Sequence, residues 1–394
     1  MNNNPDKSIR VAMVCDMIPG QSGGSFVSTI RFAELLNKRG HKAIILAAKD
    51  TRQAPVTKFL NIPIYQFPSL PTPGSERLYF ASFPKARELE SIFLRENINV
   101  VHTMFPSYSC YLAAKVAKRM GIPVISHFHT QPENILVFLP KILRGSFFEN
   151  LAMRYLTYFA RRARVVISPS ELGKRILTNF DQSLVVEVIS NGIDLSRFKK
   201  TPYDEFVTNF NLSKNRKFIL FVGRLMIEKN VEVLIRAIPK IVDAVPTTHL
   251  LVVGTGPLKK DLEKLCVDLG ISGHVSFLGK ISDKDLLMAY NLCDLYAYPS
   301  MVELEGMVVL EAMACGKPIL IADSTTSASR FFVKGNGFLF HPNDTADLAN
   351  KAISILNDDN LKDKMSIEST REVQLFDINK SIDKLEKVYK SVIS

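Results

Sequence analysis

The stretch FILFVGRLMIEKNVEVLIRAIPKIV, residues 218–242, decides the fold. Phe218–Val222 is an unbroken apolar run of strand length, the pattern of a strand covered on both faces. A glycine and a charged loop follow, and from Val231 to Val242 apolar residues recur at helical spacing. The pattern repeats downstream, with His249–Val253 a strand, Asp261–Leu269 a helix, and Val275–Leu278, Leu295–Tyr298 and Pro318–Ala322 further strands. It also runs upstream. Ile9–Cys15 precedes a glycine-rich stretch and a helical Ser28–Arg39, and Lys42–Ala47, Asn99–His102, Pro123–His127, Val165–Ser168 and Val185–Ile189 read as strands.

Buried strands alternating with helices make a parallel, doubly wound sheet, and this chain carries two such sets. The expectation is an α/β chain of two tandem Rossmann-like domains facing a cleft, residues 1–198 and 199–375. A C-terminal helix, 376–394, is expected to cross back to the first domain, because Ile378–Ile393 carries apolar residues at helical spacing. The polar segment Leu195–Asn215 is the expected linker. Ligands of such sheets bind beyond the carboxyl ends of the strands, so the loops there are where chemistry is sought.

Composition sets the bounds. A chain of 394 residues fits two domains, and 46% apolar with 23% charged residues excludes a largely disordered chain. The five cysteines, Cys15, Cys110, Cys266, Cys293 and Cys315, form no CxxC pair, which argues for a reducing compartment and against structural zinc. The start MNNNPDKSIR is polar, and no apolar run is long enough to span a bilayer. A cytoplasmic protein, soluble or bound to a membrane surface, is expected. Residues 1–198 hold 25 Lys+Arg against 14 Asp+Glu, and residues 199–394 hold 25 against 25, so the net +11 lies in the first half. That half is expected to face an anionic partner, membrane or nucleic acid.

The most specific motif is Glu303-Leu-Glu-Gly-Met-Val-Val-Leu-Glu311, two carboxylates eight apart with a helix starting near Gly306. The first N–H groups of a helix suit a phosphate, which makes Gly306, Met307 and Val308 candidate donor-binding positions. Glu311, further along, suits ribose hydroxyls, and Glu303 in the loop suits a sugar. Taken without its neighbours, the segment is equally a buried helix with flanking acids. Arg224 and Lys229, just past the strand Phe218–Val222, are two cations where phosphate oxygens need fixed charge.

These residues resemble the E-x7-E segment and diphosphate clamp of family-4 retaining glycosyltransferases of the GT-B type. Val188-Ile-Ser-Asn191-Gly192-Ile-Asp194 resembles the family's interdomain turn, Val253-Gly-Thr-Gly256-Pro its glycine turn, and Val275-Ser-Phe-Leu-Gly279 the segment meeting the nucleotide base. The resemblance spans essentially the whole chain and is stronger in the C-terminal half. It implies transfer of a hexose from a nucleotide-sugar, UDP-glucose first and GDP-mannose as the alternative. No metal-ligand cluster stands in the sequence, so no metal and no other cofactor is expected. The pair Asp358-Asp359 sits in a polar loop and is not a DxD motif.

In the first half, Gly20-Gln-Ser-Gly23-Gly24 matches the turn that borders the donor diphosphate in family members, and on its own is equally a plain strand-to-helix turn. His129-Thr130 resembles the HT pair of lipid-modifying members, in which that His contacts the transferred sugar. His127 reads as a packing residue. No base–nucleophile triad surrounds His129, which fits a family mechanism in which the leaving phosphate takes the acceptor's proton.

Residues 135–164, ILVFLPKILRGSFFENLAMRYLTYFARRAR, interleave Lys141, Arg144, Arg154, Arg161, Arg162 and Arg164 with aromatic and aliphatic residues. Such a segment suits an anionic membrane surface, or else is a buried helix with a solvated basic face. Together with His129-Thr130 it resembles glycolipid synthases that act on diacylglycerol or a related lipid. A transferase for polysaccharide or lipid-linked oligosaccharide is the enzyme alternative, and an epimerase of related architecture matches the two halves poorly. A nucleic-acid-binding protein is disfavoured, because it leaves Glu303, Glu311, Arg224 and Lys229 without a reason.

Overall fold

A computed structural model describes residues 8–16, 24–50, 54, 56–71, 80–136 and 145–393. The chain divides into two compact units. One comprises residues 1–191 with 379–394, and the other runs from Gly192 to Ile378.

The first unit is built on β1 (Arg10–Cys15), β2 (Lys42–Lys49), β3 (Lys58–Phe59), β4 (Ile62–Pro71), β5 (Phe80–Ser82), β6 (Val100–Thr103), β7 (Val124–His127), β8 (Val165–Ser168) and β9 (Val186–Val188). Their order is β3-β4-β2-β1-β6-β7-β8-β9, with β5 on β4. Pairing is parallel except where β4 meets β3 and β5. The interior of β1 and β2 is entirely buried, as their unbroken apolar runs require. The three strands β3, β4 and β5 are not legible in the sequence, because Pro63, Pro68 and Pro71 punctuate β4 and read as turn signals. Residues 379–394, most of the C-terminal helix Ile378–Ile393, belong to this unit, where Ile382, Leu385 and Tyr389 are buried.

The second unit holds β10 (Lys217–Val222), β11 (Thr248–Val253), β12 (Val275–Gly279), β13 (Leu295–Tyr298), β14 (Ile319–Ala322) and β15 (Gly337–Phe340), in the order β12-β11-β10-β13-β14-β15. All pairs are parallel. Numbered within the unit this is 3-2-1-4-5-6, the doubly wound nucleotide-binding order, and its direction reverses between β10 and β13. Helix Val231–Ala244 packs against helix Thr345–Asn357 over the sheet. The expected linker Leu195–Asn215 is instead part of this unit. Phe198 and Phe206 within it are buried in the core, and Asp204–Asn209 is a helix. Its polar residues are the outer face of a covering layer. The unit boundary accordingly falls at Asn191/Gly192, upstream of residue 198.

Candidate active site

The second unit gathers its chemistry at the carboxyl ends of β10 and β13, the point where strand order reverses. After β10 the chain runs through Gly223 and Arg224, then a 3-10 turn, Ile227–Lys229. The glycine turn after β11 supports this loop backbone on backbone. Leu225 N–H donates to Thr255 O at 2.9 Å and Leu258 N–H to Leu225 O at 3.2 Å. Gly254, at φ 136°, lies so close that a Cβ would sit 1.8 Å from Gly223 O. No other residue fits there. Asn230, at φ 52°, closes the 3-10 turn and opens the next helix.

The loop delivers Lys229 to Glu303. Their side chains are 11% and 14% exposed, and Lys229 Nζ donates to Glu303 Oε1. The same oxygen accepts from Tyr298 Oη at 2.5 Å and Ser300 Oγ at 2.9 Å. Burial pushes the Glu303 carboxyl up, but the Lys229 ammonium and these hydroxyls bring it below the usual carboxylate value. The backbone of Glu303 is fixed as well, since its N–H donates to Thr326 O at 3.2 Å and its carbonyl accepts from Ala328 N at 2.8 Å. Arg224 is 37% exposed and lies 3.4 Å from Glu228.

Helix Met307–Ala314 opens at Gly306, whose φ of 89° and closeness to Ser329 Oγ, 2.3 Å from a would-be Cβ, admit only glycine. The helix's positive end therefore lies three residues beyond Glu303. Glu311 sits one turn into the helix, 7% exposed, with Tyr290 Oη 3.0 Å from Oε2. Val308 is half-buried, and its carbonyl lies 3.2 Å from the same Tyr290 hydroxyl. Gly279 ends β12, and its carbonyl accepts from Gly254 N–H at 2.8 Å. The second unit thus brings Arg224, Lys229, Glu303, Gly306, Met307 and Glu311 onto neighbouring loops and one helix. Asp358 has a structural task, accepting from Leu361 N–H at 2.9 Å as the N-cap of helix Asp359–Glu372.

The first unit has a cluster of its own. Gly24 opens helix Gly24–Lys38, while Gly20 and Gly23 lie outside the described residues. Just past β1, Asp16 is 2% exposed and accepts from Ser109 Oγ at 2.6 Å and from Ser82 Oγ. Burial raises its carboxyl above the usual range, against the hydroxyls of Ser107, Ser109 and Ser82. Nothing in its sequence neighbourhood singles Asp16 out. Past β7, His129 is half-buried, and burial pushes its imidazole down to about 3, so it is neutral. His127 is a core residue, 3% exposed.

Of the basic segment, Lys141 and Arg144 lie outside the described residues. Helix Ser146–Ala160 buries Ala152, Met153, Leu156, Thr157 and Ala160. Its other face exposes Phe147 (73%), Leu151 (54%), Tyr155 (46%) and Tyr158 (48%), with Arg154 among them. The arginines that follow have partners within the unit. Arg161 pairs with Asp181 at 2.6 Å, Arg162 lies 3.6 Å over the Tyr158 ring, and Arg164 donates to Val392 O at 3.1 Å.

Two family models match, Glycosyltransferase Family 4 over residues 22–197 and Glycosyl transferases group 1 over residues 203–372. The chain is 26% identical over 320 residues to alpha-monoglucosyldiacylglycerol synthase of Streptococcus pneumoniae, covering 79% of this chain and 70% of that one. It is also 26% identical over 392 residues to phosphatidyl-myo-inositol mannosyltransferase of Mycolicibacterium smegmatis, covering 98% of this chain and 94% of the relative. Among solved structures, Anabaena HepE in complex with UDP and glucose superposes with a TM-score of 0.76 at 21% identity, covering 97% of this chain and 100% of that one. A family-4 glycosyltransferase model over the first half and a group-1 model over the second match the two Rossmann-like sheets, and the chain belongs to the GT-B glycosyltransferases.

Proposed function

We propose that the chain transfers a hexose from a nucleotide-sugar, UDP-glucose in the first reading, to a membrane lipid such as diacylglycerol, with retention of the donor's α-configuration. The observation that carries the donor half is the buried Lys229–Glu303 pair at the β10/β13 switch point, beside the positive end of a helix at Gly306. Fixed cations and a helix N-terminus are what a diphosphate needs. Arg224 and Lys229 hold the diphosphate, Glu303 the sugar and Glu311 the ribose. His129 is assigned to the transferred sugar.

In the transfer step the acceptor hydroxyl oxygen bonds to the anomeric carbon as the bond from that carbon to the phosphate oxygen breaks. The departing diphosphate keeps the electron pair and takes the acceptor's proton on the same face. Arg224, Lys229 and the helix end stabilise the charge that grows on it, so the reading needs no metal.

The lipid half rests on the relatives, one named for making monoglucosyldiacylglycerol and one for mannosylating phosphatidyl-myo-inositol, and on the exposed aromatic face of helix Ser146–Ala160. No described helix is long and apolar enough to cross a membrane. We infer a peripheral protein on the cytoplasmic face, docked through that exposed aromatic face. GDP-mannose remains the second donor reading, favoured by the nearly full-length match to the mannosyltransferase.

The test is nucleoside diphosphate release from UDP-glucose and GDP-mannose, with and without vesicles of diacylglycerol or phosphatidylinositol. Proton NMR then reads the anomeric coupling of the product. Lipid-dependent release with an α-linked product is expected. A β-linked product would exclude retention, and release indifferent to lipid would move the acceptor to a soluble molecule.

A further inference from the structure

Three imidazoles stack in the first unit. The rings of His127 and His129 lie face to face, 3.9 Å between centroids and 7° between planes. His127 also stacks on His102 at 5.5 Å and 12°, and on Phe32 at 6.2 Å and 23°. His102 Nδ1 is 2.7 Å from the hydroxyl of Tyr389, whose ring meets the imidazole edge-on at 5.7 Å. The four residues come from β6, the end of β7, the loop after it, and the C-terminal helix.

Two features separate this column from ordinary core packing. Among the described residues, both ring nitrogens of His127 are buried without a hydrogen-bond partner, as are Nε2 of His102 and Nε2 of His129. Buried polar atoms left unpaired destabilise a fold, and a phenylalanine at position 127 would carry no such cost. Moreover, His129 Nε2 has no hydrogen-bond partner among the described residues to orient its ring, whereas the face of His127 lies parallel to it at 3.9 Å. On their open side His127 and His129 line a cavity of about 20 Å³ with Leu156, Phe159 and Ala160, room for a single water.

We propose that Tyr389, His102 and His127 are positioning residues that fix the ring plane of His129, and that the C-terminal helix thereby takes part in transfer. The proposal rests on the assignment of His129 to the transferred sugar. Stacking fixes a plane without supplying a proton, so the ring face at position 127 is what matters. Tyr389 tethers the far end of the column across 287 positions of sequence.

The experiment compares His127→Phe, which keeps a planar face, with His127→Leu, which removes it, and with Tyr389→Phe, which removes the tether. Each is assayed with UDP-glucose and diacylglycerol-containing vesicles, alongside thermal unfolding and UDP affinity. His127→Phe should keep kcat within about threefold, whereas His127→Leu should lose about tenfold or more and Tyr389→Phe several-fold. Donor KM and UDP affinity should stay within about twofold throughout. The ring-proton NMR shift of His129, set by the ring current of its neighbour, should move in His127→Leu and Tyr389→Phe. A folded His127→Leu with wild-type kcat and an unmoved His129 signal would overturn the column, and so would equal losses in the Phe and Leu variants. If His127→Leu does not fold, Tyr389→Phe decides by the same two readouts. His129→Ala separates the two levels. Its loss of kcat beside an unaffected His127→Leu would sink the column alone, and its wild-type kcat would sink the assignment of His129 and the column with it.

Discussion

Lys229 Nζ and Glu303 Oε1 are direct partners although 74 positions separate them, and the hydroxyls of Tyr298 and Ser300 complete the shell around that oxygen. The carboxylate thus satisfies the buried cation. In the proposed function a diphosphate would compete with Glu303 for Lys229 and free that carboxylate for the sugar. Glu303→Gln removes the charge but keeps the shape. Calorimetry should show UDP affinity retained or raised, while transfer falls about a hundredfold, about 2.7 kcal/mol. Weaker UDP binding in Glu303→Gln would mean that the pair does not open for the diphosphate.

Lys229→Ala differs in kind, because it leaves a buried carboxylate without its cation. Removing one partner of a buried pair costs about 3–5 kcal/mol of stability, so unfolding must be measured beside turnover. Arg224→Ala, at a side chain 37% exposed, should cost little stability. Both should lose several kcal/mol of transition-state stabilisation. Near wild-type turnover in either folded variant would remove that residue from the clamp.

Glu311 makes the opposite split from Glu303. It is held by the Tyr290 hydroxyl inside the helix that starts at Gly306. Glu311→Gln should weaken binding of bare UDP by about tenfold, about 1.4 kcal/mol, through lost hydrogen bonds to the ribose. A Glu311→Gln variant that binds UDP normally, beside a Glu303→Gln variant that does not, would reverse the two assignments.

How much of this was legible depended on how each feature is built. Buried parallel strands are unbroken apolar runs, so β1, β2, β6, β7, β8, β10, β11 and β13 show in the sequence, and with them the loops carrying Arg224, Lys229 and His129. The strand β4 hid behind its prolines, and Phe198 and Phe206 hid inside a polar segment that otherwise reads as a linker. Side-chain pairings across the sheet leave no periodic trace. No motif marks Tyr298 or Tyr290, and only the fold sets them against Glu303 and Glu311. His102 and Tyr389 meet because the last helix belongs to the first unit. Asp16 stands in no motif, and its buried hydrogen-bonded setting comes from Ser82 and Ser109, brought to it from distant segments.

The buried histidines predict acid sensitivity. Burial pushes His102 and His129 down to about 3 and His127 well below its ordinary value, whereas in the unfolded chain all three titrate near 6.5. Below that pH the unfolded state binds protons that the folded state refuses. Stability is therefore complete above about 6.5 and falls as pH drops toward the folded values. Each imidazole contributes a slope of about 1.4 kcal/mol per pH unit in that window. Urea unfolding at pH 7.5, 6 and 5 measures the slope, and His127→Phe should flatten it by one imidazole's share. A variant with unchanged slope would mean that His127 accepts a proton in the folded chain.

The basic segment leads to a different membrane experiment from the one its charge suggests. Arg161, Arg162 and Arg164 each have a partner inside the unit, so replacing them together would loosen Asp181, the Tyr158 ring and the end of the C-terminal helix. A loss of vesicle binding in such a variant would report on the fold as much as on the surface. Phe147 and Leu151 are the cleaner probes, 73% and 54% exposed on the face of helix Ser146–Ala160 that covers no core. Inserting an exposed apolar side chain into the acyl boundary is worth about 1.5–3 kcal/mol when burial is complete. Phe147→Glu with Leu151→Glu should therefore weaken binding to anionic vesicles by well over tenfold, with thermal stability and UDP affinity unchanged. Cations near the surface add about 1 kcal/mol each, screened over a Debye length of about 10 Å at moderate salt. Raising salt should thus weaken wild-type binding without abolishing it, because the apolar contribution is unscreened. Co-sedimentation with vesicles of graded anionic content measures both effects. Equal sedimentation of the double variant and the wild type would show that this face does not enter the membrane, and would shift the acceptor toward a soluble molecule.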